Sequence, residues 1–272
     1  MRPGLLSPIE RRVRAAHNKG IVMGFLATET FSTAAILRDA LALKSRQGVY
    51  NVLANLEAEG LVRRQSIQRG DGSSVALWGI THHGVAYAST YVDGRLLVPR
   101  AFEPARVAVP LLTHTLELQR MQLSARAAGW SGWLNCDKLE MWQGKLRRPD
   151  AIAQSPNSLT VAIEFERTFK SIKRYQQILA DYLVALKQVR FGHVVWVTPT
   201  REMAQRLRQI ITSFTAVSVA GQRVAVVPER HHASLFFCDV ATWPHYSQRE
   251  FYANSEDRRL TQKQSPFGAH SG

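Results

Sequence analysis

Only two cysteines occur in 272 residues, Cys136 and Cys238, and they stand in unrelated contexts. Neither has the spacing of a metal-ligand pair, so neither a disulfide framework nor a cysteine–zinc site organises this chain. Buried, reduced thiols are the expectation. No apolar run approaches the ~20 residues of a membrane span. The first residues, Met-Arg-Pro-Gly-Leu-Leu-Ser-Pro-Ile-Glu-Arg-Arg, hold no stretch long enough for a signal peptide. A cytoplasmic protein without membrane insertion is expected. No internal repeat is present. Acidic residues are also scarce: 21 Asp and Glu stand against 35 Lys and Arg, for a net charge of +14. That excess repels itself in a compact state and favours a polyanionic partner, nucleic acid first. The basic residues are spread along the chain, so charge alone does not locate a site.

What is present is enough apolar sequence, 45 %, for a packed core, and enough length for two domains. Four regions separate by pattern: 1–92, a Pro/Arg/Gly-rich linker over 93–110, a second domain over 111–243, and a polar 244–272 expected to be a disordered tail. In the first region Ser32-Thr33 can cap a short helix from Ala34. A polar turn, Lys44-Ser45-Arg46-Gln47, leads to a helix from Gly48. Val49, Val52, Leu53 and Leu56 give it one apolar face. Gly60 stands where a helix ends in a left-handed residue. A strand from Leu61, the turn Arg69-Gly-Asp-Gly-Ser-Ser and a returning strand from Val75 follow. Thr81 can cap a last helix from His82 to Tyr91.

This order, with the string "LANLEAEGLVRR…GDGSSVALWGITHHG", resembles a winged helix-turn-helix. Lys44, Arg46, Gln47, Tyr50 and Asn51 lie away from the apolar face or on its flank, and are candidates for base edges and phosphates in duplex DNA. Arg63, Arg64 and Arg69 could meet the DNA backbone. The competing reading is a protein-docking or homodimerising module with solvated polar residues.

The second domain reads as a helix (Leu111–Gly129), strands at Trp133–Met141, Leu146–Ala153 and Leu159–Glu166, and a helix from a Thr168 cap to about Lys187. A strand at His193–Val197, a helix opened by Pro199-Thr200 and a strand from Val224 complete it. The amphipathic first helix has no single stripe. The strand at 159–166 ends in two carboxylates, Glu164 and Glu166, which period-2 alternation places on one face, with Ile163 and Phe165 towards the core. The order αβββαβ with Pro149-Asp150 and then Glu164-Phe165-Glu166 resembles the PD-(D/E)xK nuclease fold, so the expected class is α+β or α/β. Hard divalent cations take oxygen ligands, and Mg2+ or Mn2+ on Asp150 and Glu164 would serve phosphodiester hydrolysis. Glu117 and Glu166 are further candidate ligands. Glu166 stands where the motif has lysine, which leaves Lys170 or Lys173 as the basic group. The alternative for the three carboxylates is a salt-bridge network with Arg148, Arg167 or Lys170.

Taken together, with "RPDA…VAIEFERTFKSIKRYQQILADYL", the chain is similar to the replication-relaxation family, and within it to MobC-type plasmid mobilisation relaxases. That resemblance implies recognition of a transfer origin, nicking of one DNA strand, and work with relaxosome accessory proteins and a type IV coupling protein. The attacking group is either water or a tyrosine. Tyr175 and Tyr182 fall on the apolar helix face with Ile172, Leu179, Leu183 and Leu186, while Tyr246 and Tyr252 fall in the polar tail. A non-catalytic regulator or accessory protein that keeps the fold as a structural body is the other reading.

Overall fold

The computed structural model describes residues 7–88, 99–138 and 147–246. Mixed α+β structure divides into two compact units, the first drawn from Met1–Leu123 with Lys138–Glu140, the second from Ser124–Asp137 and Met141–Gly272. The division falls inside one helix, Val109–Ala127, rather than in the proline-rich segment before it. Residues 1–6, 89–98, 139–146 and 247–272 lie outside the description, and with them part of the expected linker, the turn at Trp142 and Tyr252.

In the first unit α1 (Pro8–Glu29) starts from a capping box in which Ser7 and Glu10 satisfy each other's backbone amides. It leads to β1 (Phe31–Ser32), α2 (Ala34–Ala40) and α3 (Arg46–Ala58). Thr33 caps α2 by accepting from Ile36 N, as its sequence position implies. Ser45 caps α3 by accepting from Gly48 N at 3.0 Å, so that helix begins two residues before the expected start. Val49, Leu53 and Leu56 are buried, and Val52 is half-buried. Gly60 ends the segment with φ 70°, the left-handed value its place after the helix requires.

An antiparallel hairpin follows, β2 (Val62–Gln68) and β3 (Ser74–Ile80), in register from Val62↔Ile80 to Gln68↔Ser74. β1 adds to β3 as a third strand. In its turn, Asp71 Oδ1 accepts from Ser73 N and Oγ, and Gly72 takes φ 81°. α4 (His82–Ala88) then packs back through Gly84, capped by Thr81 Oγ1 at 2.9 Å. A Cβ on Gly84 would stand 2.1 Å from the Leu61 carbonyl oxygen. Backbone cannot yield there, so Gly84→Ala should lower stability by about 1–3 kcal/mol. Thermal denaturation of the variant checks this, and an unshifted melting point would contradict it.

α5 is the helix Val109–Ala127, with buried residues on several sides, Leu112, Leu116, Gln119 and Met121 among them. Gln119 accepts from Ser32 Oγ at 2.7 Å and donates to Phe31 O at 2.8 Å.

The second unit is built on a five-stranded mixed sheet in the order β10–β7–β6–β5–β4. These strands are β4 (Ser131–Asn135), β5 (Ala151–Gln154), β6 (Thr160–Phe165), β7 (His193–Thr198) and β10 (Leu235–Asp239). β4, β5 and β6 pair antiparallel, and β6–β7 and β7–β10 pair parallel. α6 (Ile172–Lys187) and α7 (Arg201–Thr212) connect them, with a separate hairpin of β8 (Ala216–Val219) and β9 (Gln222–Ala225) and a short α8 (Pro228–His231) before β10. Tyr175, Leu179, Tyr182, Trp196 and Leu207 share one buried core.

Several expected boundaries are corrected. The strand expected over 133–141 is β4 to Asn135, then a single 3-10 turn at Cys136–Lys138. Pro149-Asp150 precede β5 instead of lying within a strand. α6 is capped by Ser171, whose Oγ accepts from Arg174 N, not by Thr168. The strand expected at Val224 belongs to the small β8–β9 hairpin, and Ile172 is 53 % exposed rather than on the buried face. Both thiols are free and buried, and burial pushes the Cys136 thiol up to about 12. Among the described residues no helix is long and apolar enough to cross a membrane.

Candidate functional site

Two groups of residues carry chemistry, one in each unit. In the first unit Lys44, Arg46, Gln47 and Asn51 are all exposed at the start of α3. Gln47 Nε2 donates to Asn51 Oδ1 at 2.8 Å, one helical turn on, and the Arg46 guanidinium lies 5.7 Å from the centre of the Tyr50 ring. Tyr50 itself is half-buried. The helix N-terminus adds unsatisfied amides to this cluster, a favourable setting for phosphate. On the hairpin Arg64 is exposed, while Arg69 is half-buried. Arg63 is different. Its guanidinium donates to the Phe102 carbonyl and lies 5.5 Å from the Phe102 ring centre. It ties the segment at Phe102 to the hairpin, a structural task that the sequence did not disclose.

In the second unit the carboxylates gather where β5 and β6 start and end. The register Ala151↔Ile163 makes Asp150 the cross-strand neighbour of Glu164. Asp150 Oδ2 accepts from Phe165 N at 2.7 Å, and its carbonyl accepts from Cys136 N at 3.0 Å. Glu164 is 3 % exposed and Glu166 4 %. The strand expected to run to Glu166 ends at Phe165, so Glu166 stands just beyond β6, while Glu164 lies against α6. Tyr182 of α6 donates to Glu164 Oε1, and Lys170 donates to Glu166. Both faces of β6 are therefore buried, instead of one face opening to a cleft.

The sequence did not single out Arg147. Its Nε donates to Glu164 Oε1 at 2.7 Å and its Nη2 to Oε2 at 2.9 Å. This is the two-pronged guanidinium–carboxylate arrangement, the strongest of the common ion-pair geometries. Two arginines stand side by side at 147 and 148, and nothing in their spacing says which one turns inward. Arg147 does, and Arg148 is exposed. Burial, then the neighbouring Asp150 charge, push the Glu164 carboxyl up, opposed by Arg147 and Tyr182. Burial likewise raises the hydroxyl of Tyr182 well above its ordinary value and that of Tyr175 to about 12. Tyr175 Oη accepts from Lys170 N at 3.1 Å, which makes it part of the loop leading into α6.

Lys173 is exposed on the first turn of α6, and Arg167 is exposed beside Glu166. Glu117 sits on α5 in the first unit, paired with Arg120. Tyr246 is not loose in a tail: it packs against Trp130, Trp243 and Phe236, with His193 Nδ1 3.2 Å from its hydroxyl. Burial raises that hydroxyl too.

Asp150 and Glu164 fit a hard divalent cation in donor chemistry, since water and phosphate commonly complete such a site. Their contacts are those of an ion-pair network. Both Glu164 oxygens are taken by Arg147, and Lys170 holds Glu166. Among the described residues no group of three or more His, Cys, Asp or Glu is arranged to hold a metal ion. No protein-family model matches the chain, and no curated protein compared with it matches either.

Proposed function

We propose that the chain is a duplex-DNA-binding protein whose first unit is a winged helix-turn-helix and whose second is a PD-(D/E)xK-type body. One observation carries this reading. The start of α3 exposes Lys44, Arg46, Gln47 and Asn51 together, opposite a buried Val49/Leu53/Leu56 face, ahead of a β-hairpin that exposes Arg64. Side chains that reach base edges and phosphates thus share the end of a helix held from behind. The net charge of +14 supports the same class of partner.

For the second unit the resemblance to mobilisation relaxases supports metal-dependent nicking of one strand at a transfer origin, with relaxosome proteins and a coupling protein as partners. Asp150 and Glu164 would hold Mg2+ or Mn2+, which when bound polarises the phosphate. Lys170, tied to Glu166, would hold positive charge beside the site. Water, rather than tyrosine, is the attacking group this reading takes, because Tyr175, Tyr182 and Tyr246 all have buried hydroxyls held in protonated form.

A second reading has its own observation. The closure of Glu164 by Arg147 and Tyr182 is what a non-catalytic body would keep for stability. Conversion of supercoiled plasmid carrying the cognate origin to the relaxed form separates the two. Metal-dependent nicking that is lost in Asp150→Ala and Glu164→Gln is expected for the enzyme. Tight duplex binding with no nicking at any Mg2+ or Mn2+ concentration would leave the accessory role.

A further inference from the structure

We infer that Arg147 is a built-in cation that competes with a divalent metal ion for Glu164, so that the carboxylate site is shut until Arg147 lets go. The inference rests on the metal-site reading of Asp150 and Glu164 above. It adds a regulatory residue that the motif does not contain.

Four observations lead to it. Arg147 bonds both oxygens of Glu164 at 2.7 and 2.9 Å, leaving neither free of a positive partner. Asp150, next to the β5–β6 register pair Ala151↔Ile163, puts its charge within reach of the same carboxylate. Glu164 is fixed from behind by the Tyr182 hydroxyl on α6, so the carboxylate is the stationary member of the pair. Arg147, by contrast, is in a segment without regular structure, three residues before Asp150, and its side chain keeps 17 % of its surface exposed against 5 % for Glu164. A long side chain on a loop can leave; a glutamate in a central strand under a helix cannot.

The electrostatics follow from charge count. A guanidinium and a divalent cation a few ångströms apart repel in a partly desolvated site, so each weakens the hold of the other on Glu164. While Arg147 occupies both oxygens, a metal ion has to displace at least one of its two bonds. Negative charge brought close by, such as a DNA phosphate, offers the guanidinium a second two-pronged partner and so favours its release.

The test is Mn2+ binding by the full chain, followed through the electron paramagnetic resonance signal of free Mn2+, which needs no catalytic activity. Arg147→Gln should bind Mn2+ about tenfold or more tightly than the wild type. Adding Glu164→Gln to that variant should abolish the gain. Arg147→Lys, which keeps the charge but not the fork and is the safer variant for folding, should fall between wild type and Arg147→Gln. Circular dichroism confirms that each variant is folded. Equal affinity in wild type, Arg147→Lys and Arg147→Gln would overturn the role of Arg147 while leaving metal-dependent nicking standing. Absence of Mn2+ binding in every folded variant would overturn both.

Discussion

Arg147→Met is expected to lower the stability of the protein by about 3–5 kcal/mol, because it strips the counter-charge from a carboxylate that is almost wholly buried. The more informative result is the comparison with a triple variant, Arg147→Met with Glu164→Leu and Tyr182→Phe. A buried ion pair carries a large desolvation cost, so replacing the whole network by apolar groups costs much less than breaking it. Tyr182 belongs in the set because Glu164 is the acceptor for its hydroxyl, and an orphaned buried hydroxyl would add its own penalty. The triple variant should therefore be more stable than Arg147→Met alone, as read by denaturant midpoint. A triple variant less stable than the single one would contradict this account of the network.

The same variant has a pH signature whose sign is fixed. The Glu164 carboxyl is already raised by burial and by Asp150, and Arg147 opposes that rise. Without Arg147 it rises further. A carboxyl raised in the folded state contributes stability below its unfolded value, near 4.5, and loses it as pH climbs through the folded value. Both proteins lose stability alike from about pH 4.5 up to the wild-type folded value, so the melting-point gap between wild type and Arg147→Met should widen only above that value. A gap that stays constant with pH would contradict the assignment of Glu164 as the responsible group.

Lys44→Ala with Arg46→Ala is expected to weaken duplex-DNA binding by at least about tenfold while leaving stability within about 0.5 kcal/mol of wild type. Both side chains are exposed, and the Arg46 guanidinium lies over the Tyr50 ring of its own helix. Arg63→Ala should behave in the opposite way. Its guanidinium holds the Phe102 carbonyl, so its loss appears first in stability. Arg64→Ala, exposed and without that task, should follow the α3 pattern. Fluorescence anisotropy on a labelled duplex, run beside thermal melts, reads both quantities. Equal affinity for wild type and the Lys44/Arg46 variant would remove α3 from the interface.

The first unit was largely legible because its signals are local. The Val49/Leu53/Leu56 stripe, the left-handed Gly60 and the Gly-containing turn at 69–74 each act over a few residues, and each appears where its local chemistry puts it. The start of α3 moved two residues earlier because Ser45, the N-cap residue type within the polar turn, accepts from Gly48 N and draws Arg46 and Gln47 into the first turn.

The second unit was legible in element order but not in its site. Alternation assigns Glu164 and Glu166 one direction, yet it could not say that β6 stops at Phe165 or that Tyr182 of α6 lies over Glu164. A strand buried on both faces loses the in/out pattern that periodicity relies on. Arg147 escaped because its partner is 17 residues away across a turn, and neither of two adjacent arginines carries a mark of turning inward. Tyr182 was correctly placed among core residues, but its hydroxyl bond depends on the depth of Glu164, which only packing determines.

Salt dependence of duplex binding tests the central claim most directly. The affinity of the wild-type chain should fall linearly on a log–log plot against salt, with a slope steeper than about −2. In the Lys44→Ala/Arg46→Ala variant the slope should flatten by about one unit for each phosphate contact removed. No duplex binding at low salt, or a slope near zero, would contradict the account.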